Sequence, residues 1–429
     1  MKFRLFCLLI FSALFLPKAQ AKAQKSQDAW KKLEKALSQE PNLSQKTKQA
    51  LKSVFQELKS SPSSTETSKG WSKVLKNLTL YGDFRFRWES TFVPSQPDRH
   101  RPRLRFRPGA KYQVAPGWEV GMRLVTGNAD DPNSTHQTFG NIFNSYAVSL
   151  DRLYLLYQSS FLKGAFLEVG KFPLPFYRNP VFGSLIWDSD VQPEGLFGGY
   201  RYKKAKGQKG ILRAFHFILG GLYLNENSVK ADPTGIAAQA MGKVQFLPKL
   251  FAYLATSYYW YSNLTPNGND VVVGDNAGNR TVSTDLNANG IPDDFLSHFG
   301  IVHIIYALES YHLCKQIPIT LAVEYMQNVR NASGAGNKGW AVGVSVGKAK
   351  KKGGWKIYYQ WNVVQEDSVF SPFAQDDIPL QTNHRSHFFG VKYMLFDNFE
   401  FHTWAMVYRQ IRGNKKDNLR VRFEINIRF

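Results

Sequence analysis

Residues 419–429 read Leu419-Arg-Val-Arg-Phe-Glu-Ile-Asn-Ile-Arg-Phe429. Leu419, Val421, Phe423, Ile425, Ile427 and Phe429 alternate without a break with Arg420, Arg422, Glu424, Asn426 and Arg428. A strand points successive side chains to opposite faces, so this stretch has one apolar face and one strongly polar face. It finishes on an aromatic residue. Behind an export signal, such a strand is expected of an outer-membrane β-barrel, with Phe429 serving the barrel-assembly machinery as an assembly signal.

The beginning of the chain supplies that export signal. Lys2 and Arg4 precede an apolar core, Leu5 to Leu16, that is too short to span a bilayer. Ala19-Gln-Ala21 and Ala21-Lys-Ala23 are small-x-small cleavage candidates, so residues 1–23 read as a signal peptide. Cys7 leaves with it. Cys314 is then the only cysteine, which excludes an internal disulfide. Beyond the signal no run of eighteen apolar residues occurs, which excludes a bundle of membrane helices. The net charge is +22 and the isoelectric point about 9.7. Export argues against nucleic acid as the reason for so basic a chain. Anionic solutes, anionic lipid or cell-wall polymer remain.

Residues 24–75 are rich in Lys, Gln, Ser and Ala and poor in aromatics. Leu51, Val54, Phe55 and Leu58 fall on one helical face, and 60–70 is a Ser/Thr linker. This is expected to be a short helical periplasmic segment. It would pair with its own copies, plug a pore, contact peptidoglycan, or do nothing specific.

From Leu78 the period changes to two. Sixteen strands are expected, at roughly 78–90, 101–114, 118–127, 148–158, 164–171, 195–203, 210–224, 235–247, 249–262, 297–309, 316–328, 338–348, 354–365, 386–396, 398–410 and 418–429. The connections alternate between short turns such as 115–117, 248 and 397 and long links such as 128–147, 172–194, 263–296 and 366–385. Lysines gather in the turns and carboxylates in the long links. One-sided long loops are a property of membrane barrels and unusual in a compact soluble domain. A soluble sandwich also alternates apolar and polar residues. Lipid, however, forbids open edges, and closure of the sheet removes them. The expected fold is all-β: a 16-stranded antiparallel transmembrane barrel over 76–429, with a short helical periplasmic segment before it. A barrel of that size has a polar, water-filled interior, in keeping with a mean hydropathy of −0.34.

The polar faces suggest where selectivity lies. The first strand would turn Asp83, Arg85, Arg87 and Glu89 inward, and the second Arg103, Arg105 and Arg107. Closure would bring Arg420, Arg422 and Arg428 beside them. Arginine stays charged and offers planar donors to carboxylate and phosphate, so such a wall suits an anion pore. The plainer reading is that these arginines pair with Asp83, Glu89 and Glu424 and only stiffen the wall. The 172–194 link is too apolar for a free loop. Folded inward, it would bury Phe176, Leu185 and Trp187 and set Asp188, Asp190 and Glu194 opposite the basic wall, as a charge and size filter.

Leu80-Tyr-Gly-Asp-Phe-Arg-Phe-Arg87, Arg103-Leu-Arg-Phe-Arg107, Thr126-Gly-Asn128, Asp151-Arg152, Gly170-Lys-Phe172 and Leu185-Ile-Trp-Asp-Ser-Asp-Val-Gln-Pro-Glu-Gly195 together resemble the Putative porin family of Gram-negative bacteria. The resemblance spans about 78–429 and is densest before 200. It implies a general diffusion porin of the cell outer membrane, trimeric, with an inward third loop. Ile427 departs from the pattern at a position where such barrels often carry an aromatic, which weakens the assembly signal slightly.

Asp285-Leu-Asn287-Ala-Asn289-Gly-Ile-Pro-Asp293 carries oxygen ligands at the spacing of a calcium loop, with Gly290 at its sixth position. Leu296 stands where a bidentate Glu would sit, so a weak calcium site and a metal-free polar turn are both open. No other cofactor is expected. The nine histidines form no nucleophile or metal motif, which speaks against an enzyme. The expected function is passive passage of small hydrophilic solutes, with a preference for anions. A solute-specific pore for phosphate or an organic acid, and a structural or adhesive barrel, are the alternatives.

Overall fold

The computed structural model describes residues 74–429, apart from 95, 128–132, 141, 144, 206, 209, 227–230, 267–275, 287, 289, 315 and 316. The expected signal peptide and nearly all of the 24–75 segment therefore lie outside the described residues.

The strands are β1 (Leu78–Phe92), β2 (Arg99–Ala115), β3 (Trp118–Thr126), β4 (Gln137–Thr138), β5 (Val148–Gln158), β6 (Ala165–Lys171), β7 (Glu194–Lys203), β8 (Leu212–Tyr223) and β9 (Thr234–Leu247). They continue with β10 (Leu250–Ser262), β11 (Gly300–Cys314), β12 (Ile317–Asn328), β13 (Lys338–Gly347), β14 (Trp355–Val364), β15 (His384–Phe396), β16 (Phe399–Gln410) and β17 (Asn418–Arg428). Of these seventeen, β4 is a two-residue strand inside the link between β3 and β5, where it pairs with β2. The other sixteen are staves, each antiparallel to its neighbours in sequence, and β17 pairs with β1 to close the sheet. Each expected strand has its counterpart within a few residues.

Alternation determines which side chains meet lipid. Along β17, Leu419 and Phe423 are exposed on the outside, while Arg420, Arg422, Glu424 and Asn426 are buried on the inside. The outward set must be apolar because lipid offers no hydrogen bonds, and the inward set is free to be polar. At the seam, Phe429 exchanges backbone hydrogen bonds with Gly82, at 2.9 and 3.1 Å. Its ring lies over Gly82, where an added Cβ would stand only 2.6 Å away, and it stacks on Phe106. The tight turn at 116–117 depends on Gly117, whose φ of +80° places it in the left-handed region.

The core of the barrel is not made by the staves alone. Phe172, Leu174, Phe176, Leu185, Ile186 and Trp187 of the 172–193 link are buried against inward side chains such as Phe197, Tyr259 and Tyr358. The 365–383 link is folded in as well: Val369, Phe370, Phe373, Ala374 and Ile378 are buried, and Ser371–Phe373 forms a 3-10 turn. Sequence reading expected the first inward loop and treated the second as an ordinary acidic loop. Yet 369–380 has the same excess of apolar residues that singled out 172–194.

Candidate functional site

The wall formed by β1, β2 and β17 is a lattice set by register. Asp83 lies between Arg107 and Arg428, Arg85 between Arg105 and Asn426, Arg87 between Arg103 and Glu424, and Glu89 between Arg101 and Arg422. Sequence reading named eight of these arginines or their neighbours; the structure adds Arg101 and brings all of them to one side of the lumen.

Their charges are largely matched. Asp83 accepts from Arg105 and Arg107, at 2.8 Å each. Glu424 accepts from Arg87 at 2.6 Å and lies 3.7 Å from Arg85. Glu89 is fully buried between Arg101 and Arg422. Arg422 also pairs with Asp377 of the 365–383 link, and Arg428 with Glu400 at 3.4 Å. Eight of the nine arginines on this wall (85, 87, 101, 105, 107, 420, 422 and 428) thus meet six carboxylates: Asp83, Glu89, Asp190, Asp377, Glu400 and Glu424. Arg103 has no carboxylate partner among the described residues and donates instead to Ser134 Oγ and the His136 carbonyl. The wall keeps an excess of cations, but most of its guanidinium groups are buried and engaged. This is in good part the plainer of the two sequence readings.

The three acids expected to face this wall go three ways. Asp190 touches it, pairing with Arg107 at 2.9 Å and Arg105 at 3.3 Å. Burial alone would raise its carboxyl; Arg105 and Arg107 outweigh that and hold it below the usual carboxylate range. Asp188 turns away from the wall. Its Oδ1 accepts from the Asp190 amide at 2.6 Å and its Oδ2 from the Asp376 amide at 3.3 Å. Burial, and then the charge of Asp376, push Asp188 well up. Asp376 is pushed up to about 7 by burial and then by Asp377. Glu194 is a correction: it opens β7 on the parity of Leu196, exposed on the outer face, where it pairs with Lys171 at 2.7 Å. Strand alternation, one residue past the link, takes it out of the lumen. Trp187 is buried, donates its indole N–H to the Val191 carbonyl at 3.0 Å and packs tilted against Phe373, with ring centroids 4.6 Å apart. It therefore joins the two inward links.

Between them the links cross the lumen. Tyr177 is held at Gln239 of β9. Glu324 of β12, fully buried, accepts from Asn179 Nδ2 at 2.9 Å, the Leu185 amide at 3.0 Å and Ser184 Oγ at 3.2 Å. Lys356 of β14 donates to the carbonyls of Pro180 and Val181 at 2.7 and 2.8 Å. Asp190 then reaches β2 on the far side. Glu324, Lys356 and Gln239 were not singled out from the sequence. Each is a single polar residue on an inward face, and only the loop's path gives it a task.

Of the calcium motif, Asn287 and Asn289 lie outside the described residues. Asp285 accepts from the Gly290 amide at 2.8 Å, and Asp293 from the Leu286 amide at 3.1 Å. Both carboxylates are therefore engaged in turn hydrogen bonds. No cluster of His, Cys, Asp and Glu suited to a metal occurs among the described residues.

A closed antiparallel barrel with a charged inner wall and an inward third long loop calls for comparison with known channels. Residues 94–291 match the family described as "Putative porin". The chain is a porin-like barrel of the Gram-negative outer membrane. Among solved structures it is similar to OprB of Pseudomonas putida, at 12% identity, with 82% of this chain and 94% of that one covered and a TM-score of 0.54. It is also similar to a loop-deletion mutant of Vibrio cholerae OmpT, at 11% identity over 82% and 99% of the chains with a TM-score of 0.48. Salmonella typhi OmpF, in complex with daunomycin, is 12% identical over 82% and 97%, with a TM-score of 0.48. At 12% identity the likeness to OprB speaks to the fold alone. No curated protein matches the sequence.

Proposed function

We propose that this porin-like barrel is a diffusion channel for small hydrophilic solutes with a preference for anions. The observation that carries the reading is the excess of cations on one inner wall: among the described residues, nine arginines against six carboxylates, with Arg103 lacking a carboxylate partner. A low-dielectric lumen of one net sign concentrates counter-ions. Two packed inward links make the channel narrow, so its conductance should be low for a sixteen-stranded barrel.

The test is single-channel recording of the purified barrel in a salt gradient. A reversal potential on the anion side, moved toward zero by Arg103→Ala, is the expected result. Cation selectivity would overturn the preference, and a barrel that never conducts would overturn the channel in favour of a structural or adhesive role.

A trimer is part of the same proposal. An apolar groove of about 930 Å³ on the outer face, lined by Leu153, Val169, Leu196 and Ile236, offers a surface for a neighbouring copy. Cross-linking in detergent reads the state directly. Calcium in the 285–293 loop is likewise a proposal; calorimetry with calcium either shows saturable heat or ends it. Cleavage after residues 21–23 and a peptidoglycan-facing role for 24–75 rest on sequence pattern, and amino-terminal sequencing of the mature protein tests the first.

A further inference from the structure

The lumen holds a chamber of about 380 Å³ below the 172–193 link, on the short-turn side, roofed by Tyr177 and Pro180. Five cations line it, Lys348, Lys350, Lys356, Lys392 and Arg428, against two carboxylates, Glu309 and Glu400. We propose that this chamber is a docking site for a small polyanion, one that carries a phosphate or two carboxylates. The proposal rests on the channel reading and moves its selective step away from the arginine wall.

Lys356 and Lys392 stand directly opposite each other on β14 and β15. Like charges so placed repel and destabilise a sheet, and a scaffold gains nothing from them. A bound anion between them reverses the sign of that interaction. The two carboxylates do not serve as their partners. Glu309 accepts from Tyr253 and Tyr311, at 2.6 and 2.5 Å, and lies 3.8 Å from Lys348. Glu400 accepts from Asn426 at 3.2 Å and pairs with Arg428 at 3.4 Å. Lys350 and Lys392 have no carboxylate partner among the described residues. Lys356 gives two N–H groups to the loop carbonyls and keeps a third donor.

Geometry narrows the ligand. Cations on two facing strands favour an anion that carries more than one charge. The chamber is large enough for a small metabolite with part of its hydration shell. One wall is aromatic, with Tyr177 stacked on Tyr253 at 5.7 Å and Lys243 over the Tyr253 ring at 4.6 Å. That wall accepts the carbon skeleton of an organic acid as readily as a hydrated phosphate.

The experiment is calorimetry of the full barrel in detergent at low ionic strength, with inorganic phosphate and with succinate as separate probes. Saturable heat with either or both is expected, and the stronger names the class. Lys350→Gln combined with Lys392→Gln touches no loop contact and should weaken binding by roughly tenfold or more. Lys163→Gln, in an exposed turn outside the chamber, is the charge control. Heat with neither probe, or equal affinity in the double variant, overturns the site. Block of single-channel current by the same probes keeps the two readings apart: current without saturable block sinks the docking site and leaves the channel standing. Binding in a barrel that carries no current does the reverse.

Discussion

The lumen has two cationic regions, and they differ in how their charge is used. On the wall of β1, β2 and β17, guanidinium groups alternate with Asp83, Glu89 and Glu424, and the inward links add Asp190 and Asp377. Around the chamber by β14 and β15, Lys350 and Lys392 have no carboxylate partner among the described residues, and Lys356 donates to two backbone carbonyls and lies over the Tyr358 ring. Arginine's planar fork suits fixed, bidentate, buried pairing; lysine is a compact, hydrated point charge on a flexible stem. The wall is thus built as an ionic scaffold that seats a loop. The chamber is built as a field that a mobile ion can feel. Density of positive residues along a strand is therefore a poor guide to where an anion would bind.

Glu89→Ala should break this contrast most severely. It leaves Arg422 and Arg101 without their shared carboxylate, and Glu89 and Arg422 are almost wholly buried. Losing one partner of such a pair costs about 3–5 kcal/mol, read as a lower unfolding midpoint in denaturant titration of the barrel. A loss under about 1 kcal/mol would mean that water reaches the wall and screens its ion pairs.

Glu324→Ala is expected to come next. It orphans the Leu185 amide and the Asn179 side chain, at about 1–3 kcal/mol for each buried group left unsatisfied. The 172–193 link should then leave its seat, raising single-channel conductance and opening the chamber's roof. Unchanged conductance would mean that the apolar anchors, Trp187 and Phe176, hold the loop unaided.

The smallest effect is a pH response where Asp188 meets Asp376. Their pocket also contains Asp190, Asp377, Arg178 and Arg422. Burial raises both carboxyls, helped by Asp376 at Asp188 and by Asp377 at Asp376, which is pushed up to about 7. Between the ordinary carboxylate range and that value the folded loops bind more protons than an unfolded chain. Stability of the contact therefore falls as pH rises through that window and is full below it. Current noise from loop motion should grow between about pH 5 and 8, and Asp376→Asn should flatten the response. Noise that falls with rising pH would reverse the assignment.

The strands were legible because a barrel imposes one simple rule on every stave, outward apolar and inward polar. The staves at 338–347 and 418–428 show it within their own residues. The third loop was legible because Phe176, Leu185 and Trp187 are too apolar for solvent. The 369–380 segment carried the same signal, masked by the acids around it. Glu194 was misplaced by the shift of parity at the start of β7. Lys356 and Lys392 were hidden because they lie 36 positions apart in sequence and become neighbours only through the β14–β15 register.

The sequence by itself determined that the chain closes into a sixteen-stave barrel and which side of each stave meets lipid. Those properties depend on local alternation, which neighbouring residues carry in full. Only the tertiary structure decided which charges are spent and which are free. Pairing is a matter of register across the closure seam and of two links folded through the lumen, and these join residues as distant as Glu89 with Arg422 and Asp190 with Arg105.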